Sequence, residues 1–457
     1  MSTSQEYIDQ NKDKFVEELF ELLRIASVST DSTKKDEIKK ASQFLADQLN
    51  SLGLERVEVF ETPGNPIVYA EHCPHDDKPT VLIYGHYDVQ PSDPDELWDT
   101  PPFEPTIKDG LIYARGASDD KGQAFTHVKA VESYKKTGQE LPVNVKFILE
   151  GEEEIGSPNL VPFLEEHKDL LECDMVLISD TAMFGEDQPS ITYGLRGLAY
   201  MEVEVVGPNR DLHSGVYGGA VENPVNVLCE IIAKLKDEDG VIQIPGFYDS
   251  VVELTEADRK AFAQLPFDED AYKKSLDIKA VHGEKGYTTL ERSSARPTLD
   301  VNGIWGGYQG EGAKTVLPSK ANAKVSMRLV PNQEPKEIAQ LFKKHVESLA
   351  PDTVEVKVTE HHGGHPAVTD LDFYGLKAGA KAFEEVYDKE VLFSREGGSI
   401  PIVADFKRVL GVESILMGFG LTSNAIHSPN ENFSVKDFHR GIKTSAKFLE
   451  LLPDFAE

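Results

Sequence analysis

Histidines and carboxylates recur in this chain at spacings that could hold divalent cations. In Gly85-His86-Tyr87-Asp88-Val89 an imidazole is followed two positions later by a carboxylate. Such an imidazole can ligate a metal through one ring nitrogen while the carboxylate takes the other N–H and fixes the tautomer. In Arg115-Gly116-Ala117-Ser118-Asp119-Asp120-Lys121-Gly122, two aspartates stand where a helix begins. One of them, aimed at a site, could bridge two cations with its two oxygens. Glu150-Gly151-Glu152-Glu153-Glu154-Ile155-Gly156-Ser157 could supply one glutamate as ligand and its neighbour as general base. Ile178-Ser179-Asp180 and Asn424-Ala425-Ile426-His427-Ser428-Pro429-Asn430-Glu431 add a carboxylate and a second imidazole.

Taken singly, each cluster has an ordinary explanation. A lone His-x-Asp is a turn, paired aspartates cap helices, and a run of glutamates is a solvated loop. Their shared placement points elsewhere, because all five follow predicted strands, and each follows a different one. Ligands in α/β sheets collect beyond the carboxyl ends of the strands. Two histidines with three carboxylates suit zinc or manganese. A shared carboxylate would set two ions about 3.5–4 Å apart, the spacing of hydrolytic dinuclear centres.

The elements needed to position these groups are legible in the hydrophobic periodicity. Helices are predicted over 5–26 and 36–52, the second with Gly53 as its C-cap. Strands are predicted over 57–61, 67–71, 80–86, 144–150, 174–179 and 190–194, with helices near 122–136 and 157–171. Runs such as Val81-Leu82-Ile83-Tyr84 are apolar throughout, as expected when both faces of a parallel sheet are covered. From Gly197 the order becomes β-α-β-β-α-β, with strands near 198–206, 298–305, 320–330 and 352–359, and helices near 223–237 and 334–349. That order is ferredoxin-like; residues 238–297 read as an irregular insertion. After about 370 the first pattern resumes, with helices at 372–387, 400–410 and 435–451 and strands at 390–394 and 413–418. The expected architecture is an α/β domain with a mostly parallel sheet, in two parts (1–196 and 370–457), interrupted by an α+β domain over 197–369.

Composition narrows the function. The 457 residues carry a formal net charge of −32, from 79 acidic and 47 basic side chains. Such a field disfavours nucleic acid and anionic membranes and attracts cations. No apolar run reaches the roughly 18 residues of a spanning helix, and the acidic start does not resemble a signal peptide. The three cysteines, Cys73, Cys173 and Cys229, form no CxxC pair. A thiolate zinc site is therefore not expected, and a reducing, cytoplasmic setting is.

The strings GHYDVQP, RGASDDKG, EGEEEIGS, ISD, ITYGLRG, DLHSG, GAKTVLPSK, MRLVP, REGGSIP and AIHSPNE, in this order, resemble metallopeptidase family 20. Within it, the closest likeness is to the branch of carnosinases and cytosolic nonspecific dipeptidases. The resemblance implies a homodimeric dipeptidase with two divalent ions per subunit, Zn2+ or Mn2+, and a small peptide as substrate. It implies that His86 and Asp180 hold one ion, Glu154 and His427 the other, and that Asp119 bridges them. Asp88 would orient His86, and Glu153 would be the general base. His213 looks like the family's oxyanion-stabilising histidine, offered across a dimer interface from the inserted lid and dimerisation domain. Arg328 looks like the clamp for the substrate's terminal carboxylate, and Thr315, Glu396, Gly398 and Ser399 match positions lining the substrate site. Glu152 departs from the pattern, making three consecutive glutamates where two are expected, which opens the register of base and ligand by one. The competing activity on the same scaffold is N-acyl amino acid deacylation; Glu396, as a candidate partner for a free α-amine, favours dipeptides.

Overall fold

The structure is a computed structural model and describes residues 3–398 and 400–456. The chain divides into two compact units. One holds residues up to 193, 369–394 and 405 onward; the other holds Gly194–Val368 and Arg395–Ala404. The division thus assigns 395–404 to the second unit, where the sequence placed it with the resumed α/β segment.

In the first unit four strands run parallel side by side: Asn144–Glu150, Thr80–His86, Met175–Ile178 and Glu413–Leu416. Antiparallel strands flank them, Ile67–His72 and Arg56–Phe60 on one side and Ser190–Leu195 on the other. The sheet is therefore mixed, with only its centre parallel, rather than mostly parallel. The central strands are buried from end to end, which is why they read as continuous apolar runs. Parallel strands put their carboxyl ends on one edge. His86 pairs with Glu150 in register, and Tyr84 with Ile178. The segments beginning at Tyr87, Gly151 and Ser179 thus leave the sheet on the same side.

Helix Lys121–Thr137 packs against strand Thr80–His86 and helix Val435–Phe455 and is buried from Lys121 to Tyr134. It ends at Gly138, whose φ of 71° suits a left-handed cap. A small sheet of Thr106–Lys108, Leu111–Tyr113 and Asn432–Ser434 pairs Tyr113 with Asn432. That pairing lays the chain after His427 beside the chain leading to Asp119. The helix predicted over 5–26 is two helices, Ser4–Gln10 and Lys12–Leu23. They break at Asn11, whose side-chain amide bonds the Tyr7 carbonyl at 2.8 Å and competes with the helical ladder.

The second unit has an antiparallel sheet in the order Thr298–Gly306, Lys320–Leu329, Gly197–Val206, Glu355–Gly364. Alternate residues of Gly197–Val206 (Ala199, Met201, Val203, Val205) enter a core closed by helices Pro224–Ala233 and Pro335–Ser348. This is the ferredoxin-like arrangement. Residues 238–297 are not irregular throughout. They form helices Glu256–Gln264, Glu269–Ser275 and Thr289–Ser294, started by side-chain caps at Thr255, Asp268 and Thr288. Their short length left little periodicity to read. Among the described residues no helix is long and apolar enough to cross a membrane.

Candidate active site

At the carboxyl edge of the parallel strands, five side chains converge as two groups of three that share Asp119. His86, Asp119 and Asp180 form one group and Asp119, Glu154 and His427 the other. In each, the potential ligand atoms lie within 4.8 Å of one another. Nε2 of His86 is 3.1 Å from Asp119 Oδ1 and 3.9 Å from Asp180 Oδ2. Nε2 of His427 is 2.8 Å from Asp119 Oδ2 and 3.3 Å from Glu154 Oε2. The two oxygens of one carboxylate thus face two different ligand sets.

His86, Glu154 and Asp180 follow strands of the main sheet, as expected. Asp119 instead comes after strand Leu111–Tyr113 of the small sheet, at the N-terminus of helix Lys121–Thr137. His427 sits in a left-handed conformation, φ 60°, beyond the turn at Thr422–Asn424. His86 is held by Asp88, though mainly by its backbone: Nδ1 meets the Asp88 carbonyl at 3.0 Å and its carboxylate at 3.4 Å. The Asp88 carboxylate also accepts the backbone N–H groups of Glu153 and Glu154, at 3.2 and 3.1 Å.

The triple glutamate is resolved by direction. Glu152 turns away from the cluster and accepts the Asn65 N–H at 3.0 Å and the Asn159 side-chain amide at 2.8 Å. Glu154 joins His427, and its Oε2 accepts from Gln90 Nε2 at 2.7 Å. Glu153 lies between them in sequence, and its acid is pushed up to about 7, first by burial and then by Glu154, Asp119 and Asp88.

Electrostatically the cluster is short of positive charge. Burial and the neighbouring Asp119 and Asp120 raise the Asp180 carboxyl well above its ordinary range. Hydrogen bonds to Asp119 and Glu154 hold a proton on His427 up to about 10, against partial burial. Burial opposes a charge on His86, yet its bonds to Asp119 and Asp88 carry it well above its ordinary value. Burial opposes a charge on Asp119 as well, yet its hydrogen bonds to His427 and His86 hold it well below the usual carboxylate range. Cations bound here would displace the protons kept on Asp180 and the two imidazoles. With nitrogen and oxygen donors only, and one shared carboxylate, the residues fit a pair of borderline or hard cations.

The other expected residues lie in the second unit. His213 caps the short helix Ser214–Tyr217, its Nδ1 accepting the Gly215 N–H at 2.9 Å. That bond leaves the neutral ring's proton on Nε2. Thr315 is its neighbour, since the Thr315 carbonyl accepts the Ser214 N–H at 3.1 Å. Arg328 is near the end of strand Lys320–Leu329, paired with Leu198 and Thr298. Glu396 ends strand Leu392–Glu396, and Gly398 is exposed. Ser399 lies outside the described residues.

Sequence reasoning missed three supports. Gln90 braces Glu154, as above. Gln123 ties the Ser118 carbonyl, at 2.8 Å, to the Phe419 and Gly420 N–H groups, at 2.7 and 3.1 Å. Glu431, fully buried, pairs with Arg115 at 2.7 Å. Gln90 and Glu431 stand inside strings already singled out for their neighbours. Arg115 and Glu431 are far apart in the chain, so no local pattern joins them.

Two candidate ligand groups that share one carboxylate at the edge of an α/β sheet suit a metal-dependent hydrolase. The chain belongs to peptidase family M20/M25/M40, which it matches over residues 82–451. It is 35% identical to the Cys-Gly metallodipeptidase dug1 of Schizosaccharomyces pombe, over 98% of this chain and 97% of that protein. It is 33% identical to the Beta-Ala-His dipeptidase of Homo sapiens, over 97% of this chain and 91% of that protein. The crystal structure of human carnosine dipeptidase 1 superposes with a TM-score of 0.81 at 32% identity, covering 99% of this chain and 98% of that one. The M20 family metallo-carboxypeptidase Sso-CP2 from Sulfolobus solfataricus gives 0.85 at 35% identity, covering 96% and 99%. The protein is therefore a dinuclear metallopeptidase of the α/β class with an inserted α+β unit.

Proposed function

We propose that this protein hydrolyses dipeptides bearing a free terminal carboxylate, with two ions held by His86 and Asp180, by Glu154 and His427, and by Asp119 between them. The observation that carries the reading is the division of the Asp119 carboxylate, one oxygen toward His86 and the other toward His427. Zinc or manganese fits the donor set. A cation pair at this place would acidify a water and polarise the scissile carbonyl.

The chain's own groups do the rest. Glu153, raised toward neutrality by burial, takes the water's proton and returns it to the leaving amine. His213, with its proton on Nε2, donates to the carbonyl oxygen as it gains charge. It is offered to the partner subunit's centre in a homodimer. Arg328 grips the substrate's carboxylate with its planar fork, and Thr315, Glu396, Gly398 and Ser399 line the substrate. The second unit serves as lid and dimerisation domain, and the enzyme works in the cytoplasm. Full-length similarity to proteins named as dipeptidases supports peptide rather than N-acyl amino acid substrates.

The test is a panel of dipeptides, their C-terminal amides and N-acetyl amino acids, given to metal-free protein with and without Zn2+ or Mn2+. Turnover of free dipeptides only, and only with metal, is expected. Equal turnover of the amides would remove Arg328 from its role, and preference for N-acetyl amino acids would replace the dipeptidase reading with a deacylase.

A further inference from the structure

Glu431 has no place in the mechanism above, yet its carboxylate makes more bonds than any ligand of the centre. Oε2 accepts from Arg115 Nη1 at 2.7 Å and from the Gly116 N–H at 3.0 Å. Oε1 accepts from the Ser118 N–H at 2.9 Å and from the Asp119 N–H at 3.1 Å. Both Arg115 and Glu431 are buried. Burying that ion pair is costly unless its charges are hydrogen-bonded; Arg115 Nε has no such partner, so the compensation lies on the Glu431 side. Here four donors converge on one carboxylate, and three of them are backbone groups of the loop that ends at Asp119. The chain itself anchors the arrangement, because the Ala114 N–H bonds the Glu431 carbonyl at 3.1 Å and Asn432 pairs with Tyr113.

We propose that Glu431 is a positioning residue for the metal centre: it fixes the backbone of Arg115–Asp119 so that one carboxylate reaches both ligand groups. Glu431 also lies four residues after His427. One short segment therefore supplies a ligand to the second group and sets the ligand common to both. The inference rests on the two-cation reading, and it distinguishes Glu431 from residues that serve one ion. Loss of Asp180 or Glu154 affects a single group, whereas displacement of Asp119 affects both.

The test is zinc affinity measured by chelator competition on Glu431→Gln, Asp180→Asn, Glu154→Gln and Asp119→Ala, with circular dichroism to confirm folding. In Glu431→Gln one acceptor becomes an amide that faces two donors. Both zinc ions should weaken together by about 10–100-fold, the range for lost supporting shells, while Asp180→Asn and Glu154→Gln each weaken one ion more than the other. Turnover should return as zinc is raised to saturation. If Glu431→Gln does not fold, Glu431→Asp replaces it; the shortened carboxylate should still weaken both ions, by a smaller factor. Unchanged affinities in the folded Glu431 variant, alongside loss of zinc in Asp119→Ala, would overturn the inference and leave the two-cation reading standing. Two tightly held ions in Asp119→Ala would instead remove the reading beneath it.

Discussion

The carboxylate of Asp88 accepts the backbone N–H of Glu154 at 3.1 Å, while the same residue's carbonyl meets His86 Nδ1 at 3.0 Å. One buried residue thereby sets the first ligand of one group and the backbone of a ligand in the other. The sequence marks Asp88 as a tautomer-fixing partner; the geometry adds the turn carrying Glu153 and Glu154. Asp88→Asn keeps one acceptor but sets an amide against the second N–H. The expected outcome is a fall of about 10–100-fold in kcat or metal affinity, read from metal-saturated turnover and metal content together. No change in either would make Asp88 a mere core residue.

Glu153 stands in neither ligand group, and its acid is raised to about 7, first by burial and then by Glu154, Asp119 and Asp88. Glu153→Gln should retain both ions and lose about 10²–10⁴-fold in kcat, the contribution of a positioned base. Metal analysis beside steady-state kinetics checks this. Loss of an ion instead would mean that the base and ligand registers are exchanged.

His213→Ala should lower kcat by about 10²–10³-fold, as for removal of one oxyanion donor, with metal content unaltered. Mixing it with Asp119→Ala under conditions of subunit exchange should restore turnover if the imidazole serves the partner subunit. Failure to recover, with exchange shown by mass spectrometry, places its action within one chain.

His127 predicts an acid limit on stability. It lies fully buried between Ser445 Oγ, at 2.7 Å from Nδ1, and Ser179 Oγ, at 2.8 Å from Nε2. Ser179 donates its own proton to the Met417 carbonyl, so it accepts from Nε2–H, and burial with no acid beside the ring favours the neutral form. Burial depresses its pKa from 6.5 to about 3. The unfolded chain takes up a proton below pH 6.5 that the folded chain refuses, so stability is lost as pH falls from 6.5 toward about 3. The slope is at most about 1.4 kcal/mol per pH unit. Urea unfolding at pH 7 and pH 4.5 should show a smaller acid loss in His127→Gln than in the wild type; parallel losses would count against the neutral buried ring.

Much of the active site was legible because its residues follow apolar runs. A buried parallel strand announces itself as four or more consecutive hydrophobic residues, and what comes next must emerge at one edge. All five clusters could be assigned to that edge on that ground, and family resemblance then singled out Asp119 from its neighbour Asp120 and Glu154 from the run of glutamates. Periodicity also separated the 3.6-residue helices from the alternating strands of the inserted unit. It failed where elements are short, as in the three helices within 238–297, and where a side chain overrides it, as at Asn11.

The chain alone therefore determined which residue types are available for chemistry and on which edge most of them emerge, since backbone periodicity and burial are local properties. Only the tertiary structure decided that Glu152 faces away, that Asp119 divides its oxygens between two histidines, and that Glu431 closes on Arg115. Each of these depends on the direction of a side chain leaving an irregular segment, and on a partner distant in sequence. Hydrogen bonds across such separations leave no periodic trace, because the residues that make them are neighbours only once the strands have paired.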